Sequence, residues 1–230
     1  MAGVSRQQYT SELKIIRLMC TGRVDLAFVL RAFINGADGV FVGGCWPGEC
    51  HYVTEGNYDA LSNMHLSKKL LSHIGVNTER LRLEWVSASE GNRFAEVVND
   101  FVAALKALGP LGKSEGIDDQ GLKLKFGAIN TLIPYIKLVE RERLRVPTKT
   151  EEAYNAFYTS DETNRLFKDL IADKLIVSQI VSLLKDRPLS TGDVSGILEL
   201  NPSEVSKHLN SSSRQGLVRY DAESKCYALA

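Results

Sequence analysis

The chain has 230 residues, of which 44% are hydrophobic and 24% are charged, with 28 basic and 28 acidic side chains. This composition is ordinary for a soluble globular protein and leaves room for two domains. It excludes a membrane-spanning class, because no stretch approaches the roughly 18 apolar residues that a spanning helix requires, and the residues after Met1 contain no apolar region typical of a secretory signal. A cytoplasmic location is therefore expected.

The first half of the sequence alternates between strand-like and helix-like segments. Short apolar runs predict strands, and apolar residues at helical spacing predict helices between them. The predicted elements are a strand at Leu13–Cys20, a helix at Val24–Asn35, a strand at Val40–Val42, a helix at Asn57–Ile74, a strand at Leu81–Ala88 and a helix at Glu90–Leu108. Repeats of this kind favour right-handed crossovers, so an α/β fold with an open parallel sheet and flanking helices is expected.

The second half predicts helices and then a small α+β domain. A helix is expected over Leu122–Arg145, kinked or split by Pro134, followed by a short helix at Glu151–Tyr158. The last fifty residues or so predict three helices and a β-hairpin, which is the pattern of a winged helix-turn-helix. We therefore expect an α/β domain at residues 1–112, a helical linker at 113–160 and a winged helix-turn-helix domain at 161–230.

Three of the four cysteines follow predicted strands. Cys20 ends the first, and Cys45 and Cys50 lie in the glycine-containing loop after the second. Because ligands of open α/β sheets sit beyond the carboxyl ends of the strands, the three thiols should converge at that edge. The residues alone leave three interpretations open: an iron–sulfur cluster, zinc with His51 as an additional ligand, or inert buried thiols. Cys226 lies in the predicted terminal hairpin and is expected to be a solvated or core residue.

The region from Ala2 to Pro110 resembles the iron–sulfur delta subunit of methyl-viologen-reducing hydrogenase, which is found with heterodisulfide reductases. The resemblance is carried by AGVSRQQY, IRLMCTGRVD, FINGADGVFVGGCWPGECHY, EGNY and ERLRLEWVSASEGNRFAEVVNDF. It implies a [2Fe-2S] cluster bound by Cys20, Cys45 and Cys50. It also implies a non-catalytic electron-transfer subunit that works between a hydrogenase or formate dehydrogenase and a heterodisulfide reductase A-type flavoprotein.

Two features depart from the family pattern. Trp46 stands where the family commonly has histidine, which would alter the packing beside the cluster. Family members also precede the AGVSR motif with a strand that ends in a C-x-x-C pair, whereas this sequence begins at Met1. We expect that an upstream segment was lost from the gene model; the other explanation is a variant whose cluster is completed by a partner or has been lost.

The terminal domain resembles ArsR-type regulators and supports a second hypothesis, a redox-responsive DNA-binding transcription regulator. Its recognition helix is predicted at Ser203–Gln215, with Lys207 and Arg214 as candidate DNA contacts. Acidic and basic side chains balance in this domain, whereas DNA-binding domains usually carry excess positive charge. Protein docking is therefore favoured slightly over DNA binding, and a scaffold with vestigial cysteines is the third possibility.

Overall fold

The computed structural model describes residues 8–230, so Ala2–Gln7 of the AGVSRQQY motif lie outside the described residues. The first half forms the predicted α/β unit. Its elements are α1 (Leu26–Ile34), β1 (Val40–Gly44), α2 (Gly56–His73), β2 (Leu81–Trp85) and α3 (Gly91–Leu108). The two strands are parallel, in register from Val40 opposite Leu81 to Gly44 opposite Trp85, and α2 makes the crossover between them. The predicted parallel α/β arrangement is confirmed.

The predicted strand at Leu13–Cys20 is wrong. This segment has no regular secondary structure, and two of its apolar side chains are almost fully exposed, Ile16 at 84% and Met19 at 94%. A strand exists only where a neighbour receives its backbone hydrogen bonds, and within the described residues β1 pairs with β2 alone. The apolar composition of the segment was therefore not sufficient to make it a strand.

The middle of the chain is helical and packs on the α/β unit. It comprises α4 (Asp119–Arg143), α5 (Glu151–Thr159), α6 (Asp161–Phe167), a π-helical turn at Lys168–Ala172, and α7 (Asp173–Asp186). One continuous hydrophobic core runs from Leu26 to Leu175, with the rings of Phe33 in α1 and Phe126 in α4 stacked at 5.7 Å. The expected division into domains at residues 112 and 160 stays a prediction. Between residues 8 and 230, no helix combines the length and apolar character needed to cross a bilayer.

Helix α4 continues through Pro134, so the predicted split does not occur there. A proline inside a helix costs about 3 kcal/mol because it removes a hydrogen bond and crowds the preceding turn. In α4 the neighbouring side chains Ile133 and Ile136 are buried in the core, and this packing offsets the cost.

The C-terminal part is the predicted winged helix. Helix α7 is followed by α8 (Thr191–Leu198), α9 (Pro202–Arg214) and a hairpin of β3 (Val218–Asp221) and β4 (Cys226–Leu229). Ser190 and Asp193 form a reciprocal capping box at the start of α8. Asn201 caps α9, and Pro202 occupies its first turn. These helices and the hairpin enclose a second core that begins at Ile176 of α7.

A buried arginine fixes the loop that leads out of the α/β unit. Arg80 is 0% exposed and its guanidinium donates to both carboxylate oxygens of Glu115, at 2.7 and 3.1 Å. It also donates to the carbonyl oxygens of Asp38, Gly109 and Pro110. Because every one of these partners accepts a hydrogen bond from one side chain, the loop after α3 is held against the start of β2.

Candidate functional site

The three cysteines of the N-terminal half lie together where β1 ends and α2 begins. Cys20 precedes a 3-10 turn at Thr21–Arg23, and Cys45 and Cys50 lie in the loop between β1 and α2. The sulfurs of Cys50 and Cys20 would lie 2.3 and 3.2 Å from a Cβ atom added to Gly56, the first residue of α2. Cys50 is buried, whereas Cys20 and Cys45 are half-buried. The convergence expected from strand topology is therefore present, even though Cys20 does not end a strand.

The thiols also interact electrostatically. Burial raises the pKa of the Cys45 thiol, and so do its hydrogen bond with Cys50 and the negative charges that Cys50 and Cys20 carry when ionised. Three neighbouring thiolates repel one another, so a bound cation would stabilise the ionised set. The group also lies at the N-terminus of the 18-residue helix α2, where the helix dipole favours negative charge.

Close approach of backbone to backbone brings the Cys20 loop onto α2. A Cβ atom on Gly22 would lie 2.9 Å from the Cα and from the carbonyl oxygen of Gly56. A Cβ atom on Gly44 would lie 2.5 Å from the Thr21 hydroxyl and 2.8 Å from the Trp85 ring. Only glycine allows these distances, so Gly22, Gly44 and Gly56 together set the position of the thiols.

Two hydrogen bonds hold the chain directly after the Cys45 side chain. The buried Asn57 side chain, which sequence reasoning did not single out, donates to the Cys45 carbonyl oxygen at 2.6 Å. In the next residue, the Trp46 indole N–H donates to the Glu90 carboxylate at 2.7 Å, and the Arg93 guanidinium lies 5.1 Å above the Trp46 ring. Hydrogen bonds from the Ser87 N–H and from Trp46 lower the pKa of Glu90, so this anchor is anionic at neutral pH. The sequence signal that could have identified Asn57 is the EGNY motif, in which it directly follows Gly56.

The other candidate ligands stand apart from this group. His51 is exposed and packs edge-on against Tyr52, with ring centroids 5.0 Å apart. Cys226 lies in β4, opposite Asp221 in the hairpin. Among residues 8–230, no group of three or more His, Cys, Asp or Glu side chains is placed so that it could hold a metal ion. The three thiols are thus neighbours without being spread around a common centre.

The exposed face of α9 is polar. Its exposed polar residues are Ser203, Glu204, Lys207, Asn210, Ser211, Ser213 and Arg214. The predicted recognition helix is therefore present with Lys207 and Arg214 outward, whereas His208 is buried and its Nε2 atom lies 3.9 Å from a carboxylate oxygen of Asp173.

In comparison with known proteins, the two ends of the chain match the models of two different families. Residues 1–109 match the family described as methyl-viologen-reducing hydrogenase, delta subunit. Residues 176–220 match the family described as bacterial regulatory protein, arsR family.

Individual relatives match the same N-terminal region. The D-type iron-sulfur subunit of the F420-non-reducing hydrogenase of Archaeoglobus profundus is 52% identical over 110 residues, which is 48% of this chain and 80% of the relative. The D-type iron-sulfur subunit of the vhc F420-non-reducing hydrogenase of Methanococcus voltae is 48% identical over 109 residues, 47% of this chain and 75% of the relative. The A-type subunit of the ferredoxin/F420H2-dependent CoB-CoM heterodisulfide reductase of Methanosarcina acetivorans is 46% identical over 112 residues, 49% of this chain but only 14% of that relative. The chain therefore belongs to the family of methyl-viologen-reducing hydrogenase delta subunits, and it carries an ArsR-type helix-turn-helix in its C-terminal region.

Proposed function

We propose that the chain is an electron-transfer subunit that works between a hydrogenase or formate dehydrogenase and a heterodisulfide reductase A-type flavoprotein. The observation that carries the proposal is the convergence of Cys20, Cys45 and Cys50 around Gly56. The names of the relatives support it, because they are iron–sulfur subunits of hydrogenases and A-type subunits of heterodisulfide reductases.

The residues at this edge fit a [2Fe-2S] cluster. Thiolates are the usual protein ligands of such clusters, and Cys20, Cys45 and Cys50 would supply three of them. Because Gly56 has no side chain, the Cys50 and Cys20 sulfurs lie close to the first turn of α2, and the positive end of the α2 dipole favours an anionic group there. When bound, a [2Fe-2S] cluster accepts and releases single electrons. Cys226 lies in the winged helix and is not assigned a ligand role.

The chain's own residues position the thiols and present them to a partner. Asn57 holds the peptide group that follows Cys45, and Glu90 holds the side chain of the next residue, Trp46. Because the pKa of Cys45 is raised, this thiol is protonated at neutral pH in the metal-free protein, and binding iron there would release its proton. Next to Cys20 the exposed side chains of Ile16 and Met19 offer an apolar surface for a partner protein.

Metal analysis of the full chain, purified without oxygen, tests this function. We expect about two irons and an equal amount of acid-labile sulfide per chain, as for one [2Fe-2S] cluster, with a paramagnetic signal on reduction. Serine substitution of Cys20, Cys45 or Cys50 should abolish iron binding, and Cys226→Ser is the matched control that should retain it. A well-folded chain whose iron content is zero, or is equally unaffected by all four substitutions, would contradict the proposal.

The polar outer face of α9 favours a second candidate function, a redox-responsive regulator that binds DNA. Lys207, Asn210 and Arg214 are side-chain types that contact bases and phosphates. Fluorescence anisotropy with genomic DNA fragments at several salt concentrations tests this function. Sequence-preferring binding that is weakened by Lys207→Gln and Arg214→Gln, but not by Lys185→Gln on α7, would support it; binding without sequence preference would remove it.

A further inference from the structure

A cavity of about 370 Å³ lies between α2 and the corner where α5 meets α6, away from the thiols. Polar residues from both sides line it, namely His65, Lys68, Lys69, Ser72, Thr159 and Asn164. We propose that this cavity binds the phosphate group of a small molecule, a role independent of the electron-transfer function.

The lining includes several hydrogen-bond donors and two lysines. Lys68 and Lys69 are half-buried, and within the described part of the chain the ion pairs involve neither of them. The Lys69 ammonium donates to the Asn164 side-chain oxygen at 2.5 Å, which leaves the Asn164 amide N–H groups as donors. The Ser72 hydroxyl is a further donor, whereas the Thr159 hydroxyl donates to the Asn155 carbonyl oxygen at 2.7 Å. The donors of the lysines, Ser72 and Asn164 make the cavity complementary to an anion.

The positive charges of the two lysines also affect the pKa of His65, the histidine of this cavity. The His65 ring stacks on the buried Tyr158 ring, with centroids 4.9 Å apart and planes 8° apart. Burial, together with the charges of Lys68 and Lys69, lowers the pKa of His65 to about 4. Because like charges cause part of this lowering, an anion bound next to the lysines should raise the pKa of His65.

A phosphate group suits the cavity better than a carboxylate. A phosphate monoester presents three acceptor oxygens in a tetrahedral arrangement and nearly two negative charges, whereas a carboxylate presents two coplanar oxygens and one charge. The donors here come from different directions, three of them from α2 at Lys68, Lys69 and Ser72 and one from α6 at Asn164. The volume is within the usual range of small-molecule sites and leaves room for a group attached to the phosphate.

Two different regions of the sequence together form the cavity. His65, Lys68, Lys69 and Ser72 lie within the region that matches the hydrogenase delta-subunit family, whereas Tyr158, Thr159 and Asn164 lie between the two matched regions. The site exists because the middle helices pack on α2.

Binding to the full chain is measured by calorimetry at constant ionic strength with three probes: inorganic phosphate, pyrophosphate and ADP. We expect saturable binding of at least one probe and a roughly tenfold or larger loss of affinity in the Lys68→Gln/Lys69→Gln variant, because two charge-assisted hydrogen bonds are removed. The Lys113→Gln/Lys185→Gln variant changes two lysines elsewhere and should bind as the unaltered chain does. Tighter binding of pyrophosphate indicates an inorganic ligand, and tighter binding of ADP a nucleotide; both support the site.

Proton NMR supplies a second readout. The chain has four histidines, and a His65→Gln variant identifies the His65 ring signal. Saturating probe should raise the pH midpoint of this signal without moving those of the other histidines. Failure of all three probes to saturate, an equal loss of affinity in both lysine variants, or an unchanged His65 midpoint overturns the proposal.

Discussion

The α/β unit and the winged helix are stabilised in different ways. In the α/β unit the decisive contacts join residues far apart in sequence: Arg80 with Glu115, Trp46 with Glu90, and Gly22 with Gly56. In the winged helix the decisive signals are local: Ser190 and Asp193 cap α8, and Asn201 with Pro202 begins α9. Long-range contacts position chemically active groups, whereas local ones specify a compact support. Mutations should therefore change stability and the thiol site more in the α/β unit than in the winged helix.

The largest effect is expected from Arg80→Met. It would leave the Glu115 carboxylate buried without its partner, and breaking a buried ion pair costs about 3–5 kcal/mol. Urea unfolding measures the loss. The matched control is Arg82→Met, because Arg82 pairs with Glu84 and Asp100 near the surface and is 34% exposed; it should cost less than about 1 kcal/mol. Equal costs for the two variants would contradict the contrast between buried and surface pairs.

The same ion pair should give the protein an acid-sensitive stability. Burial alone would raise the pKa of Glu115, but hydrogen bonds from Arg80, Ser114 and the Asn77 N–H, with the charge of Arg80, lower it to about 2 from an ordinary 4.5. A carboxyl with a depressed pKa stabilises the fold fully above pH 4.5, and this contribution is lost as the pH falls from 4.5 towards 2. The free energy of unfolding of the unaltered chain should therefore decrease as the pH is lowered from 4.5 towards 2. Glu115→Gln should flatten that part of the profile; an unchanged acid slope would count against the assignment.

An intermediate effect is expected from Gly56→Ala. The added methyl group would lie 2.3 Å from the Cys50 sulfur, so the thiols must move apart. Such overpacking costs about 1–3 kcal/mol, and bound iron should fall sharply if the thiols hold a cluster. Gly196→Ala in α8 is the control from the other region, because its methyl group meets nothing within 4 Å. That variant should gain up to about 1 kcal/mol from helix propensity and leave iron content unchanged.

The smallest effect is expected from Ser190→Ala, which removes the capping box of α8. Loss of a serine N-cap costs about 1 kcal/mol, and thermal unfolding should show it without any change at the thiols. Ser213→Ala, an exposed residue in the last turn of α9, should stay within about 0.5 kcal/mol of the unaltered chain. A cost for Ser190→Ala as large as that for Gly56→Ala would remove the distinction between the two regions.

The sequence predicted most of the elements because their signals are local. Caps and glycines placed the ends of α2 and α9 within one or two residues. The strand at Leu13–Cys20 was wrong because strand formation depends on a neighbour that local composition does not reveal. The split predicted at Pro134 was wrong for a related reason. The burial of Ile133 and Ile136, which offsets the cost of the proline, comes from partners elsewhere in the chain.

The candidate site was predicted in part. The alternation of strands and helices was enough to bring Cys45 and Cys50 to one edge with Cys20, while their role as cluster ligands stays a prediction. Asn57 was missed, because the hydrogen bond that its side chain donates to the Cys45 carbonyl oxygen exists only after the loop and α2 have packed. The cavity at Lys68 and Lys69 was missed because half of its lining comes from α5 and α6.

Helix α7 has a practical consequence for attempts to separate the two halves. Leu175 belongs to the first core and Ile176, its neighbour, to the second. A fragment ending near residue 112 would lose Phe126, which stacks on Phe33 of α1, and Leu175 of the same core, and should be poorly soluble. Grafting the winged helix onto another protein would expose the apolar side of α7 that packs on α4. Dissection at the family boundaries would thus damage both products.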